Sequence, residues 1–176
     1  MKALVFNATP LIYITKIGLS EIFEELKDEK LTAPSVRCEV VDEGKRKGVA
    51  NAVILDKLFV KGVFKVVEPE DKGLVESLLQ TKGLHLADAE VLAIAKERGG
   101  TAIIDDEVAR KTAKIYGIPY AGTPYILAKA VSQGIIAKEK AKRAVNEMVF
   151  AGWRCSIETY AKIMENLEWL GEKDNE

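Results

Sequence analysis

The chain is long enough to close one hydrophobic core, and it carries almost no net charge. It has 176 residues, 48% of them hydrophobic, and its 26 basic and 27 acidic residues leave a formal charge of −1. This length predicts one domain over residues 1–170, with 171–176 as a frayed tail. The balanced charge excludes the broad basic surface of a dedicated non-specific nucleic-acid binder, so any RNA contact must be local.

Two further classes of protein are disfavoured by the sequence. No apolar run approaches the roughly 18 residues that cross a bilayer, and the apolar start is too short for a signal peptide, so we expect a cytoplasmic protein without a membrane partner. Cys38 and Cys155 have no CxxC partner, and only His85 could join them as a soft ligand. The sequence therefore does not favour a zinc site.

In chain order, the first half predicts three strands separated by helices. Residues 3–6 form an unbroken apolar run, which is typical of a buried parallel strand. Residues 11–26 show helical spacing in two short segments, with Ser20 as the expected cap of the second. The other elements predicted in this half are strands at 31–33 and 64–67 and helices at 34–42 and 51–60.

The second half continues the alternation of helices and strands. Its predicted elements are helices at 71–80, 86–98 and 106–116, strands at 101–104 and 119–121, and a largely helical remainder over 123–170. Strands that alternate with helices predict parallel crossovers with helices on both faces of a sheet. The expected fold class is α/β, a three-layer α/β/α arrangement with a mostly parallel central sheet of four to five strands.

Polar residues follow two of the predicted strands directly. Asn7 follows the first strand, and Asp105 and Asp106 follow the fourth. Sites in open α/β sheets form beyond the carboxyl ends of the strands, so these side chains are expected near one another. Glu39 and Asp88 lie on predicted helices whose first turns could open onto the same edge.

Asp88 heads the apolar stripe of its predicted helix. It precedes Val91, Leu92 and Ala95 at spacings of three, four and seven, so its carboxylate should face the core. Burying a bare carboxylate is costly, and either a shared divalent cation or a nearby Lys or Arg would offset that cost. The alternative is a favourable acid near a helix amino terminus. Glu90 lies about 200° around the helix and is expected to face solvent.

Glu39 and Asp106 each have a second interpretation. Glu39 lies beside a narrow apolar stripe, with Asp42 and Glu43 one turn further on, so a solvated acidic helix face explains it as well as a metal ligand does. Asp106 could simply cap the helix that follows it. Spacing alone leaves both choices open.

Several motifs together resemble the PIN-domain family. They are residues 7–11 after a strand, 36–40 and 86–90 on helices, and 103–110 across a strand end. The later Gly122-Thr123 pair and the 152–160 segment are similar to the branch related to ribonuclease toxins of toxin–antitoxin pairs. Each motif is weak singly, but their order and spacing extend the resemblance to about Leu167.

The resemblance implies acidic residues that bind Mg²⁺ or Mn²⁺ and hydrolyse single-stranded RNA, with an antitoxin protein as a partner. Carried over by position, the metal ligands are Asn7, Glu39, Asp88, Asp105 and Asp106. The implied catalytic residues are Glu39, Asp88 and Asp106, and the implied polar neighbours of the metal site are Thr9 and Thr123.

One position departs from the family pattern. Asn7 stands where the family usually has an aspartate, and its amide offers an oxygen ligand without a negative charge. Magnesium accepts hard oxygen ligands, so we expect weaker metal binding. If Asp105 contributes beside Asp106, an endoribonuclease with altered metal preference is expected. If it does not, the expectation is a catalytically weakened module that binds RNA or protein. A third hypothesis is an unrelated α/β domain whose acids are caps and surface charges.

Two surface features complete the predictions. Arg110 and Lys111 follow Asp106 closely and are candidates for contact with RNA phosphates, although solvated surface charges explain them equally well. The apolar helical segment from Ile12 to Phe23 could join two subunits of a homodimer, and core packing is its alternative.

Overall fold

Five parallel strands form one sheet at the centre of the computed structural model, which describes residues 2–170. Their order across the sheet is β3-β2-β1-β4-β5. The strands are β1 Leu4–Phe6, β2 Lys30–Thr32, β3 Lys65–Val66, β4 Thr101–Ile103 and β5 Tyr120–Ala121. The tail predicted at 171–176 lies outside the described residues.

The strands are connected by helices, and the two longest of the described helices lie in the second half of the chain. In order they are α1 Ala8–Lys16, α2 Glu21–Glu25, α3 Pro34–Arg37, α4 Gly44–Arg46, α5 Ala50–Val60, α6 Lys72–Leu79, α7 Leu86–Glu97, α8 Glu107–Ile115, α9 Thr123–Ser132, α10 Lys138–Phe150 and α11 Ile157–Trp169. A π-helical segment, Cys38–Glu43, joins α3 to α4. Within residues 2–170, none of the helices has the length and apolar character needed to span a bilayer.

The core lies on both faces of β1. Its three residues are at most 1% exposed, because a strand between two parallel neighbours is covered by helices on each side. On one side the ring of Phe6 meets Phe23 and Phe64 edge to face, at centroid distances of 5.7 and 5.4 Å. Helix α7 packs on β1 and β4 and is buried from Val91 to Ala95.

The α/β fold predicted from the alternation of strands and helices is confirmed, and every strand pair is parallel. Two local predictions were wrong. Ser20 has helical backbone angles and makes no capping hydrogen bond, so α2 begins without a side-chain cap. The helix predicted over 34–42 continues to Arg46 through the π-helical segment. The pattern of apolar residues does not distinguish π from α hydrogen bonding over one turn.

The segment that suggested a homodimer contributes mainly to the core of its own chain. Leu11, Ile14, Ile22 and Phe23 are fully buried, and Ile12 is partly buried against them. Core packing therefore accounts for the apolar character of this segment.

Candidate active site

Parallel pairing places the ends of β1 and β4 side by side. Phe6 is the register partner of Ile103, and the backbone N–H of Asn7 donates to the carbonyl of Ile103 at 3.1 Å. The residues that follow the two strands, Asn7 and the Asp105-Asp106 pair, therefore start from the same edge of the sheet, as expected for this fold class.

Asn7 is 9% exposed, and both ends of its amide are used. The side-chain oxygen accepts from the backbone N–H of Ala8 at 2.8 Å and caps α1, which is why this helix begins directly after the strand. The amide nitrogen donates to Oδ1 of Asp88 at 2.6 Å. Asn7 thus links the end of β1 to the first turn of α7.

Asp88 is 5% exposed on the first turn of α7, as its place at the head of the apolar stripe predicted. Its two oxygens accept from the Asn7 amide and, at 3.1 Å, from the backbone N–H of His85. Among the described residues no Lys or Arg pairs with it. Neutral donors and the positive end of the helix dipole are what stabilise this buried charge.

Glu39 lies on the π-helical segment and faces the same pocket as Asp88. Partial burial raises the pKa of its carboxyl above the ordinary value, and the negative charges of Glu43 and Asp88 raise it further. Lys47 and His85 oppose the rise only weakly. The carboxylates are therefore close enough to repel one another, and a cation between them would relieve that repulsion.

Glu90 connects α7 to α3 through one hydrogen bond. Its carboxylate accepts from the backbone N–H of Ser35, in the first turn of α3, at 3.2 Å. Glu90 is half-buried, so the expectation that it faces solvent was wrong. Because α3 runs directly into the π-helical segment, this bond helps to fix the position of Glu39 relative to α7.

Several of these side chains line one open pocket of about 520 Å³, which we call the acid pocket. Its lining includes the carboxylates of Glu39, Glu43, Asp88 and Asp106, together with Asn7, Thr9, Ser35, Lys47 and His85. Asp106 caps α8 by accepting from the N–H of Ala109 at 2.8 Å. Capping and a place in the acid pocket are therefore compatible, since only Oδ1 is used for the cap.

Asp105 points away from the acid pocket. It accepts from the backbone N–H of Thr123 at 2.8 Å, from the Thr123 hydroxyl, and from Nε1 of Trp153 at 3.1 Å. Gly122 permits this close approach, because a Cβ there would lie 2.8 Å from Oδ1 of Asp105. Asp105 and Thr123 were expected to serve the same metal site as Asp106. This geometry conflicts with that expectation, because Thr123 donates its hydrogen bonds to Asp105.

Arg110 and Lys111, the residues expected to contact RNA, lie on the Asp105 side. Both line a groove of about 570 Å³ with Asp105 and Trp153. The guanidinium of Arg110 lies 5.5 Å from the ring centroid of Tyr120. Lys111 forms an ion pair with Glu107 at 2.6 Å, one turn earlier on α8.

The acid pocket fits a divalent ion that keeps part of its water shell better than one coordinated entirely by protein side chains. Its donors are carboxylate, amide and hydroxyl oxygens, the hard ligands that Mg²⁺ and Mn²⁺ prefer. Among residues 2–170, no group of three or more His, Cys, Asp or Glu side chains is close enough to form a preassembled cage. Magnesium commonly keeps several waters and uses one or two carboxylates plus substrate phosphates. Asp88 and Glu39 are the pair that would hold it.

The comparison with protein families agrees with this arrangement. The sequence model of a PIN-domain family, DUF3368, matches residues 3–169. The chain belongs to this PIN-domain family. No curated protein matches the chain. The resemblance stated from four short motifs is therefore confirmed at the level of the family.

Four polar residues that line the acid pocket were not selected from the sequence as site residues. They are Ser35, Glu43, Lys47 and His85. Glu43 carried a usable signal, since it lies four residues after Glu39 and such residues share one side of a helical segment. Lys47 lies four residues after Glu43 and pairs with it. Ser35 and His85 depend on how α3 and α7 pack against each other, which local spacing does not specify.

Proposed function

We propose that this PIN domain is an endoribonuclease that uses Mg²⁺ or Mn²⁺ to hydrolyse single-stranded RNA. The observation that carries the proposal is the convergence of Glu39, Glu43, Asp88 and Asp106 on one open pocket. These residues come from three separate parts of the chain, and within residues 2–170 Lys47 is the one Lys or Arg that lines the pocket, where it pairs with Glu43 at 3.6 Å. Membership of a PIN-domain family supports the same reaction class.

The chain's own residues have separable tasks in this proposal. The ion, when bound, supplies an activated water and neutralises charge on the phosphoryl oxygens. Asp88 is buried and accepts from two donors, so it would hold the ion at a fixed position. Burial and the neighbouring acids raise the pKa of the Glu39 carboxyl in the metal-free chain, and a bound ion would reverse that rise, so Glu39 would share the ion with Asp88 as a carboxylate. Oδ2 of Asp106 has no hydrogen-bond partner among residues 2–170, so it could orient a water.

A second candidate function is RNA or protein binding without cleavage. The observation that favours it is the 2.6 Å hydrogen bond from the Asn7 amide to Asp88, which occupies an oxygen that an ion would need. An aspartate at position 7 would add a negative charge there, whereas the amide supplies a donor. Weak metal binding would leave the fold and its surfaces intact.

Cleavage of labelled single-stranded RNA in Mn²⁺ separates the two candidates. The wild-type protein should produce fragments, and Asp88→Asn should lose at least about a hundredfold in rate. Equal cleavage by both forms would identify a contaminating nuclease and sink the assignment. No cleavage by the wild type, with activity gained by Asn7→Asp, would favour the binding module and locate its defect.

We also propose the toxin role and its antitoxin partner, on the resemblance alone. Expression of the wild-type chain without a partner should then slow growth of a bacterial host, and Asp88→Asn should relieve the effect. Unimpaired growth with an active enzyme present would reject the toxin role and leave the ribonuclease proposal standing. Sedimentation of the purified protein tests the proposed homodimer separately.

A further inference from the structure

A second polar surface lies beside the acid pocket, on the other side of the end of β4. We call it the basic groove; its lining includes Arg110, Lys111, Lys114, Tyr120, Trp153 and Arg154. Arg110 and Lys114 are four residues apart on α8 and share one face of the helix. Arg154 comes from the segment between α10 and α11 and lines the same groove.

The charge of the groove is opposite to that of the acid pocket. Within the described part of the chain, Arg110, Lys114 and Arg154 form no ion pair, whereas Lys111 is paired with Glu107. The one other carboxylate, Asp105, already accepts three hydrogen bonds. A protein of net charge −1 therefore concentrates three unpaired cations in one depression, which is the electrostatic requirement for an anionic ligand.

A smaller cavity of about 230 Å³ opens beside the groove and shares Asp105, Arg110 and Trp153 with it. The ring of Tyr125, 40% exposed and with Nζ of Lys129 5.8 Å from its centroid, lines this cavity together with the exposed side chain of Asn166, whose amide makes no hydrogen bond within residues 2–170. An aromatic face and a free amide are the groups that proteins use to stack a nucleobase and to read its edge. An acidic peptide would need neither.

From these observations we infer that the basic groove binds the phosphate backbone of single-stranded RNA, and that the adjoining cavity takes one of its bases. Arg110, Lys114 and Arg154 contact phosphates, and Tyr125 and Asn166 contact the base. Asp105 and Asp106 are adjacent in the chain and line the groove and the acid pocket respectively, so a strand held in the groove can continue into the pocket. The inference rests on the proposed function only in taking that strand as the RNA to be cleaved.

Fluorescence anisotropy with a labelled single-stranded oligoribonucleotide in EDTA tests the groove without any cleavage. Lys114→Gln with Arg154→Gln should lower affinity at least about tenfold and flatten the salt dependence by about 1.4 in log–log slope, the value for two lost phosphate contacts. The matched control is Lys57→Gln with Arg143→Gln, which removes the same charges from exposed positions outside the groove. Equal affinity of the two double variants would overturn the groove.

The base cavity is tested with two further probes. An abasic oligoribonucleotide of equal length should bind at least about fivefold more weakly to the wild-type protein, and Asn166→Leu should reduce that difference. Equal binding of abasic and normal RNA would overturn the cavity assignment. Competition by polyglutamate as effective as that by RNA of equal charge would overturn RNA as the ligand in favour of an acidic protein segment.

Failure of the groove and failure of the nuclease give different results. If the wild-type protein binds RNA through the groove but does not cleave it, the groove stands and the proposed reaction falls. If it cleaves RNA and the Lys114→Gln, Arg154→Gln variant keeps wild-type affinity and KM, the reaction stands and the groove falls. If the groove and the nuclease proposal are both correct, the Lys114→Gln, Arg154→Gln variant raises KM and leaves kcat unchanged. Asp88→Asn then abolishes cleavage and retains RNA binding.

Discussion

At the scale of single residues, Asn7 determines how the acid pocket behaves without a metal. Its amide donates to the buried carboxylate of Asp88 and so stabilises a charge that no Lys or Arg within residues 2–170 neutralises. The same amide leaves the pocket one negative charge short of the family pattern. Under the proposed function, stability without metal and affinity for metal are therefore opposed at this one position.

Asn7→Asp should lower the stability of the metal-free protein and raise its affinity for Mn²⁺. In EDTA the variant places two carboxylates at a 2.6 Å contact in place of a hydrogen bond, so we expect it to be less stable by about 1–3 kcal/mol. Its affinity for Mn²⁺ should rise roughly tenfold, because the added charge lies against the ion. Urea unfolding and calorimetric titration measure the two effects.

Asn51→Asp is the control for charge alone, because it adds one carboxylate on α5, away from the acid pocket. It should leave Mn²⁺ affinity unchanged and should not destabilise the fold, since an acid in the first turn of α5 interacts favourably with the helix dipole. An Asn7→Asp variant that binds Mn²⁺ no better than the wild type would mean that the pocket does not hold the ion.

The raised pKa of Glu39 predicts that the stability of the fold depends on pH. Its pKa is raised above 4.5 in the folded state by burial, Glu43 and Asp88, so the folded protein holds more protons than the unfolded chain above that pH. The free energy of unfolding in EDTA should therefore fall as pH rises from about 4.5 through the raised pKa. Glu39→Gln should remove this fall and be the more stable form at neutral pH, by less than ~1 kcal/mol because the side chain is only partly buried and solvent screens its charge.

Urea unfolding of both proteins at acidic and neutral pH measures the difference between them. Glu43 provides a comparison, because Glu43→Gln should reduce the pH effect at Glu39 without abolishing it. A wild-type protein that gains stability relative to Glu39→Gln as pH rises would contradict the cause assigned to the raised pKa.

At the scale of elements, the position of Glu39 depends on contacts between helices that are distant in sequence. The sequence predicted a helix here and placed Glu39 beside a narrow apolar stripe, which the structure retains with Val36 and Val40 buried. It did not predict the π-helical turn or the bond from Glu90 to the Ser35 N–H. The bond depends on α7 packing against α3, and such packing is invisible to a pattern read along one helix.

Glu90→Ala should therefore weaken the metal site indirectly. The substitution leaves the N–H of Ser35 without its carboxylate partner, which we expect to destabilise the fold by about 1 kcal/mol. It should also weaken Mn²⁺ binding severalfold, because α3 and the π-helical segment lose one of their links to α7. Parallel urea and Mn²⁺ titrations measure both changes.

Glu97→Ala is a matched control on the same helix. Glu97 also accepts from backbone N–H groups, those of Glu70 and Asp71, but it faces the start of α6 and not the acid pocket. Its loss should reduce stability by a similar amount and leave Mn²⁺ affinity unchanged. Equal effects of the two substitutions on Mn²⁺ affinity would show that Glu90 has no special role in the site.

At the scale of the whole molecule, the sheet topology accounts for what the sequence could predict. Strand patterns predicted a parallel α/β fold, and the rule for carboxyl ends then predicted that Asn7 and the acids after β4 meet. The same rule could not assign Asp105 and Asp106 to one site or two. Their side chains diverge because successive residues of an extended segment point to opposite sides, a signal that alternation along the chain does carry.

This divergence gives the two neighbouring aspartates different roles in the molecule. Asp105 holds together the end of β4, the start of α9 and the segment before α11, through Thr123 and Trp153. Asp106 makes one capping bond and lines the acid pocket. One neighbour therefore stabilises the fold, and the other is available to the proposed metal site.

Asp105→Asn and Asp106→Asn should separate these roles. The first variant loses charge-assisted bonds to buried or half-buried donors, so we expect a stability loss of about 2–3 kcal/mol with unchanged Mn²⁺ affinity. The second keeps its cap, since asparagine caps helices as well as aspartate does, and should lose Mn²⁺ affinity with a stability change of only about a few tenths of a kcal/mol. If Asp105→Asn weakens Mn²⁺ binding as much as Asp106→Asn does, both acids serve one metal site and the division between pocket and groove at this strand end is wrong.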